Sequence, residues 1–259
     1  MSSPVPAQEH TLSYTDPHYK HHKFSRLMTT SMTSPSSKQT LPHTAGISMA
    51  TKPDEWEVVD SKPAITKLVD DLLAGPLTLY MDLEGIGLSR HGSISILQIH
   101  EPLSNRTILV DVLTLGKDAF ATPGSDGETT LKAMLESDTM VKYFFDVRND
   151  SDALSAHFGI TLAGVRDMQL QVLASRYGPK RFLNGLAKCI ERDSGLNWAE
   201  KRAWQITKDA GVKLSALERG GAREVINERP LPEVLAKYCA QDVCAVPCCA
   251  YYISTRPDS

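Results

Sequence analysis

The stretch Leu77-Thr-Leu-Tyr-Met-Asp82-Leu-Glu84-Gly85 joins a β-rich apolar run to a pair of carboxylates. Residues two apart on an extended chain point to the same side, so Asp82 and Glu84 project together from the end of that strand. Crowded like charges are unfavourable unless something neutralises them, and a divalent cation held by oxygen ligands does so directly. Standing alone, an Asp-x-Glu pair is a weak signal, better explained as a solvated strand end. What decides between the two is the company that the rest of the chain brings.

Around this strand the chain alternates. Two more β-rich runs follow at 93–99 and 107–112, across short polar or glycine-containing connections that suit hairpin-linked antiparallel pairing. Upstream, Trp56-Glu-Val-Val opens the ordered part. Asp60 or Ser61 then caps a helix with Pro63 in its first turn. Ile65, Leu68, Val69, Leu72 and Leu73 fall on one face of that helix, and Gly75-Pro76 stops it. Downstream, a Gly/Pro/Asp loop at 122–127 precedes a helix over 131–135, a strand over 141–147 and a helix over 153–158. Leu183, Leu186 and Ile190 at helical spacing, then a polar stretch to Glu228, read as mostly helical. The class predicted is α/β, a mixed sheet layered with helices.

Composition sets the outer bounds. With 41% hydrophobic and 23% charged residues over 259 positions, collagen-like, wholly disordered and disulfide-framework classes are excluded. No apolar run approaches the roughly 18 residues of a spanning helix, and the start MSSPVPAQEH has neither a basic n-region nor an apolar core, so an intracellular protein of the cytoplasm or nucleus, with no membrane partner, is expected. Five cysteines leave one unpaired in any scheme. Four of them (Cys239, Cys244, Cys248, Cys249) crowd one apparent helix with no CxxC and no nearby His, which fits reduced core thiols better than zinc. Residues 1–50 hold 26 Ser, Thr, Pro or His and no hydrophobic period, and read as a disordered tail able to recruit protein partners.

The net charge of −3 hides a division. Residues 51–175 carry 10 Lys+Arg against 19 Asp+Glu, whereas 176–229 carry 12 against 7. An acidic half suits cation binding, and a basic stretch including Lys180, Arg181, Lys188, Lys201, Arg202, Lys208 and Arg229 suits a polyanion. Two more segments carry carboxylates in suggestive places. Lys237-Tyr238-Cys-Ala-Gln-Asp242 puts a phenol and a carboxylate on one face of a helix. Phe145-Asp146-Val-Arg148-Asn-Asp150-Ser-Asp152-Ala-Leu154 runs from a strand end into a helix, where Asp150 also suits a cap and Arg148 suits a bridge to Asp146 or Asp152.

In this order the segments resemble the DEDDy 3′-5′ exonucleases, the ribonuclease D and Werner-type superfamily with a ribonuclease H-like core, over about residues 55–255. Asp82 and Glu84 match its first motif, Asp150 with Leu154 its second, and Tyr238-x-x-x-Asp242 its third. Asp152 is the other candidate for the second motif. Phe-Asp-Val-Arg-Asn-Asp, Val165-Arg-Asp-Met-Gln169 and Asn227-Glu-Arg-Pro-Leu-Pro232 look like the exonuclease-domain-1 and Egalitarian-like branch, some of whose members have lost catalytic carboxylates. The resemblance implies that Asp82, Glu84, Asp150 and Asp242 hold two Mg²⁺ or Mn²⁺ ions. Tyr238 would orient the attacking water, and mononucleotides would leave the 3′ end of a single strand, RNA in preference to DNA. Arg229, Lys180 and Arg181 are the candidate phosphate contacts. The competing expectation is an idle exonuclease fold that binds RNA or acts as an adaptor.

Overall fold

The computed structural model describes residues 55–75, 77–177, 180–216 and 220–255. The tail read at 1–50 lies outside the described residues. Six strands form one sheet in the order β1-β4-β3-β2-β5-β6. The centre is the antiparallel trio β2 (Thr78–Glu84), β3 (Ile96–Glu101) and β4 (Arg106–Asp111), as the short connections predict. Parallel neighbours extend it on both sides, β1 (Glu57–Val59) on β4, then β5 (Val141–Phe144) on β2 and β6 (Val165–Asp167) on β5. The result is a mixed sheet flanked by helices.

Alternation along β2 divides the core. Leu79, Met81 and Leu83 join a cluster with Leu68 and Leu72 of α1 (Lys62–Ala74). That cluster also takes in Phe120 of α3 (Asp118–Ala121), Leu135 of α4 (Leu131–Glu136) and Leu154 of α5 (Arg148–Phe158). Tyr80 faces the opposite way, into a cluster with Val172 of α6 (Met168–Ala174), Ile190 of α7 (Leu186–Asp193) and Trp204 of α8 (Trp198–Ser215). Cys248 and Cys249 of α9 (Glu233–Ser254) complete that second cluster. Asp82 and Glu84, two and four residues beyond Tyr80, therefore share the face that α9 crosses. All five cysteines are free and buried, as small core residues.

Several boundaries differ from the sequence reading for local reasons. The third β-rich run stops at Asp111, whose side chain accepts the Thr114 N–H (3.1 Å) and caps α2 (Val112–Leu115). Helix α5 starts five residues earlier than its apolar spacing indicates, because its first turn is entirely polar. Strand β6 has only three residues, too few to show alternation. Among the described residues no helix is long and apolar enough to cross a membrane.

Candidate active site

Four carboxylates from three separate segments meet at the end of β2. Asp82 and Glu84 come from the strand itself, with Leu83 between them turned into the opposite core. Asp150 sits in the first turn of α5 and is buried, and its Oδ1 accepts the backbone N–H of Leu83 at 3.1 Å. That hydrogen bond ties the helix start to the strand end. Asp152, two residues on, faces away: its oxygens take the Arg90 backbone N–H (2.8 Å) and guanidinium Nε (2.9 Å). Arg148 pairs with Asp146, Nε to Oδ1 at 2.6 Å.

The fourth carboxylate comes from α9, where Tyr238 and Asp242 lie one turn apart. Oxygens of Asp82, Glu84 and Asp242 all lie within 4.8 Å of one another. Asp242 is buried. Its Oδ2 takes a short hydrogen bond from the Lys208 Nζ of α8, while its Oδ1 is buried with no hydrogen-bond partner among the described residues. A buried, unsatisfied carboxylate oxygen is costly in isolation. Three carboxylates facing one ammonium, with Asp150 close behind, leave an excess of negative charge that a divalent cation would neutralise, so the donor set fits oxygen-ligated Mg²⁺ or Mn²⁺.

Electrostatics follow from the crowding. Burial, then Asp150, Glu84 and Asp242, pushes the Asp82 carboxyl well above its usual range, with Lys208 opposing. Burial and then Asp242 raise Glu84 to about 7, against Lys208 and the Tyr238 phenol. Asp150 also rises to about 7, chiefly through burial, with its backbone N–H contacts opposing and Glu84 adding. Burial raises Asp242 too, and Lys208 holds it down. For Lys208 burial disfavours the charge, but Asp242, Glu84 and Asp82 outweigh it, so the ammonium persists. Burial, then Glu84 and Asp242, drives the Tyr238 phenol far upward, which keeps it protonated in the metal-free site.

A cavity of about 200 Å³ opens at this cluster, walled by Met81, Phe145, Leu186 and Val246 beside the polar groups. A second, of about 290 Å³, shares Glu84 and Tyr238 with it and adds Gly85, Ser215 and Arg223. Arg229 is a correction to the sequence reading. Its Nε and Nη2 fork onto Asp111 (2.6 and 2.7 Å), and its remaining N–H groups reach the carbonyls of Ile226, Glu228 and Ser95. All five donors are engaged, so none is left for a phosphate. Lys180 donates to the Ala174 carbonyl at 2.5 Å, and Arg181 is exposed on the connection that leads to Leu186. Lys208 was legible only as one member of a basic stretch. Its place beside Asp242 is set by α8 packing on α9, which no local spacing reveals.

A family model described as 3′-5′ exonuclease matches residues 56–247, which takes in all four carboxylates. The chain belongs to the 3′-5′ exonuclease family. Ribonuclease D of Trypanosoma brucei, solved with GMP, is 26% identical with a TM-score of 0.63, over 82% of this chain and 60% of that one. The same enzyme solved with RNA U12 gives 24% identity and a TM-score of 0.61, over 82% and 66%. Escherichia coli RNase D, an exoribonuclease involved in structured RNA processing, shares the fold at 19% identity and a TM-score of 0.53, over 77% of this chain and 44% of that one. The chain thus spans about 60% of the length of the RNase D to which it is similar. No curated protein sequence matches it significantly.

Proposed function

We propose that this chain is a metal-dependent 3′-5′ exonuclease that removes mononucleotides from single-stranded nucleic acid, RNA in preference to DNA. The observation that carries the reading is the convergence of Asp82, Glu84 and Asp242 from β2 and α9 on one cavity, with Asp150 of α5 tied to the strand between them through the Leu83 N–H and a buried Asp242 oxygen left unpartnered. These four residues would hold two Mg²⁺ or Mn²⁺ ions. Bound there, divalent ions supply Lewis-acid stabilisation of the phosphoryl oxygens and a water acidified enough to attack.

The chain's own groups do the rest. The Tyr238 hydroxyl, beside Glu84, would orient the attacking water by hydrogen bonding. Phe145, Leu186 and Val246 give the unpaired terminal base an apolar wall and exclude bulk water. A single strand is the natural substrate, since a duplex end must fray before its 3′ terminus reaches buried carboxylates. Support for RNA comes from the RNase D structures, which hold GMP and RNA U12.

The test is degradation of matched 5′-labelled ribo- and deoxyribo-oligonucleotides in Mn²⁺. A ladder of products shortened from the 3′ end is expected, lost in Asp82→Ala and Asp242→Ala. Salt-sensitive binding of single strands without cleavage in any divalent ion would instead establish the idle, RNA-binding fold.

A further inference from the structure

We propose that Lys208 is a positioning residue of this site, a clamp that fixes Asp242 through one carboxylate oxygen and Tyr238 through its hydroxyl, leaving the other Asp242 oxygen to the metal. The inference rests on the exonuclease reading above. Lys208 Nζ bonds Asp242 Oδ2 and donates to Tyr238 Oη at 3.1 Å, two groups one turn apart on α9. The ammonium also lies 4.3 Å from the centroid of the Tyr238 ring and 6.0 Å from that of Trp204, so its position is fixed on several sides. It is the only cation among the described residues lining the carboxylate cavity.

An ammonium has three donors and no acceptor. The Tyr238 oxygen must therefore accept from Lys208, which turns the phenol's own hydrogen away from the ammonium, into the cavity that Tyr238 lines with Glu84. One side chain thus sets both the rotation of the Asp242 carboxylate and the direction of the Tyr238 hydroxyl. The delivery of Lys208 is itself built into the helix packing. At Gly211, three residues further along α8, an added Cβ would lie 2.4 Å from Tyr238 Cδ2, so only glycine lets the helix approach this closely. Lys208 and Gly211 share one helical face.

Lys208→Met keeps the stem and removes the charge. Manganese affinity is read from thermal stabilisation, without substrate, and kcat and KM from 5′-labelled single-stranded RNA. With the competing positive charge gone, the Mn²⁺ midpoint should move about tenfold lower. With Asp242 and Tyr238 no longer held, kcat at saturating Mn²⁺ should fall about tenfold or more while KM stays within about threefold. Tighter metal with slower turnover is a combination that a merely structural residue does not give. Lys208→Arg, which keeps the charge, should hold the manganese midpoint within about threefold of wild type. Wild-type kcat in Lys208→Met, an unmoved or weakened midpoint in it, or a midpoint in Lys208→Arg shifted as far as in Lys208→Met overturns the proposal. Failure of the wild type to cleave with any divalent ion defeats the exonuclease reading instead, and the midpoints still test the clamp.

Discussion

Asp150 and Asp152 stand two positions apart in one helical turn and have opposite fates. Asp150 is buried on the Leu83 N–H, and Asp152 lies at the surface on Arg90. Asp150→Asn should lower kcat by about a hundredfold or more, the rate equivalent of losing a metal-held carboxylate, whereas Asp152→Asn should stay within about threefold because an exposed ion pair contributes little. Oligonucleotide degradation at saturating Mn²⁺ separates them. Glu84 and Asp150, both raised to about 7, must lose protons to bind a cation. Metal affinity should therefore strengthen steeply as pH rises from 6 to 8, which manganese titrations at fixed ionic strength will read.

Helix packing sets the second scale. Gly211→Ala forces a methyl group into Tyr238 and should destabilise the protein by about 1–3 kcal/mol. The same change moves Lys208 off Asp242, so turnover should fall even under conditions in which the variant is fully folded. On the opposite face of the sheet, the fully buried Lys142 of β5 donates to the carbonyls of Met134 (2.7 Å), Leu135 (3.0 Å) and Ser137 (2.6 Å), closing the end of α4. Met134 and Leu135 keep backbone donors on those carbonyls (Ser137 N–H at 3.3 Å and Ala163 N–H at 3.1 Å), so Lys142→Met chiefly deprives the half-buried Ser137 carbonyl and should cost about 1–3 kcal/mol in urea unfolding, with kcat unchanged in the folded fraction.

For the molecule as a whole, the carboxylate cluster couples stability to pH and to metal. Groups with raised folded pKa values contribute stability that is present below their unfolded values near 4 and is lost as pH climbs through about 7. His100, lowered to about 4 by burial, acts in the opposite sense, but only below its unfolded value near 6.5. Metal-free protein should therefore melt at progressively lower temperature from pH 6.5 to 8. Mn²⁺ should reverse the trend, adding about 2.7 kcal/mol at a concentration ~100 times its dissociation constant. A melting temperature independent of both pH and Mn²⁺ in scanning calorimetry would remove the cluster from consideration as a cation site.

Period and spacing alone carried the central sheet and the first helix, because alternation in β2 and the 3.6-residue period in α1 are consequences of which side chains must leave water. The order of acidic segments carried the family, since Asp82-x-Glu84, Asp150 and Tyr238-x-x-x-Asp242 each constrain chemistry over a few residues. The three-residue β6 and the polar first turn of α5 were too short or too polar to leave a periodic trace. The separate partners of Asp150 and Asp152, the engagement of Arg229 by Asp111 and the arrival of Lys208 beside Asp242 were decided by tertiary structure alone. Each joins residues 34 to 118 positions apart, and contacts of that range depend on how helices dock on the sheet, which no window of local sequence encodes.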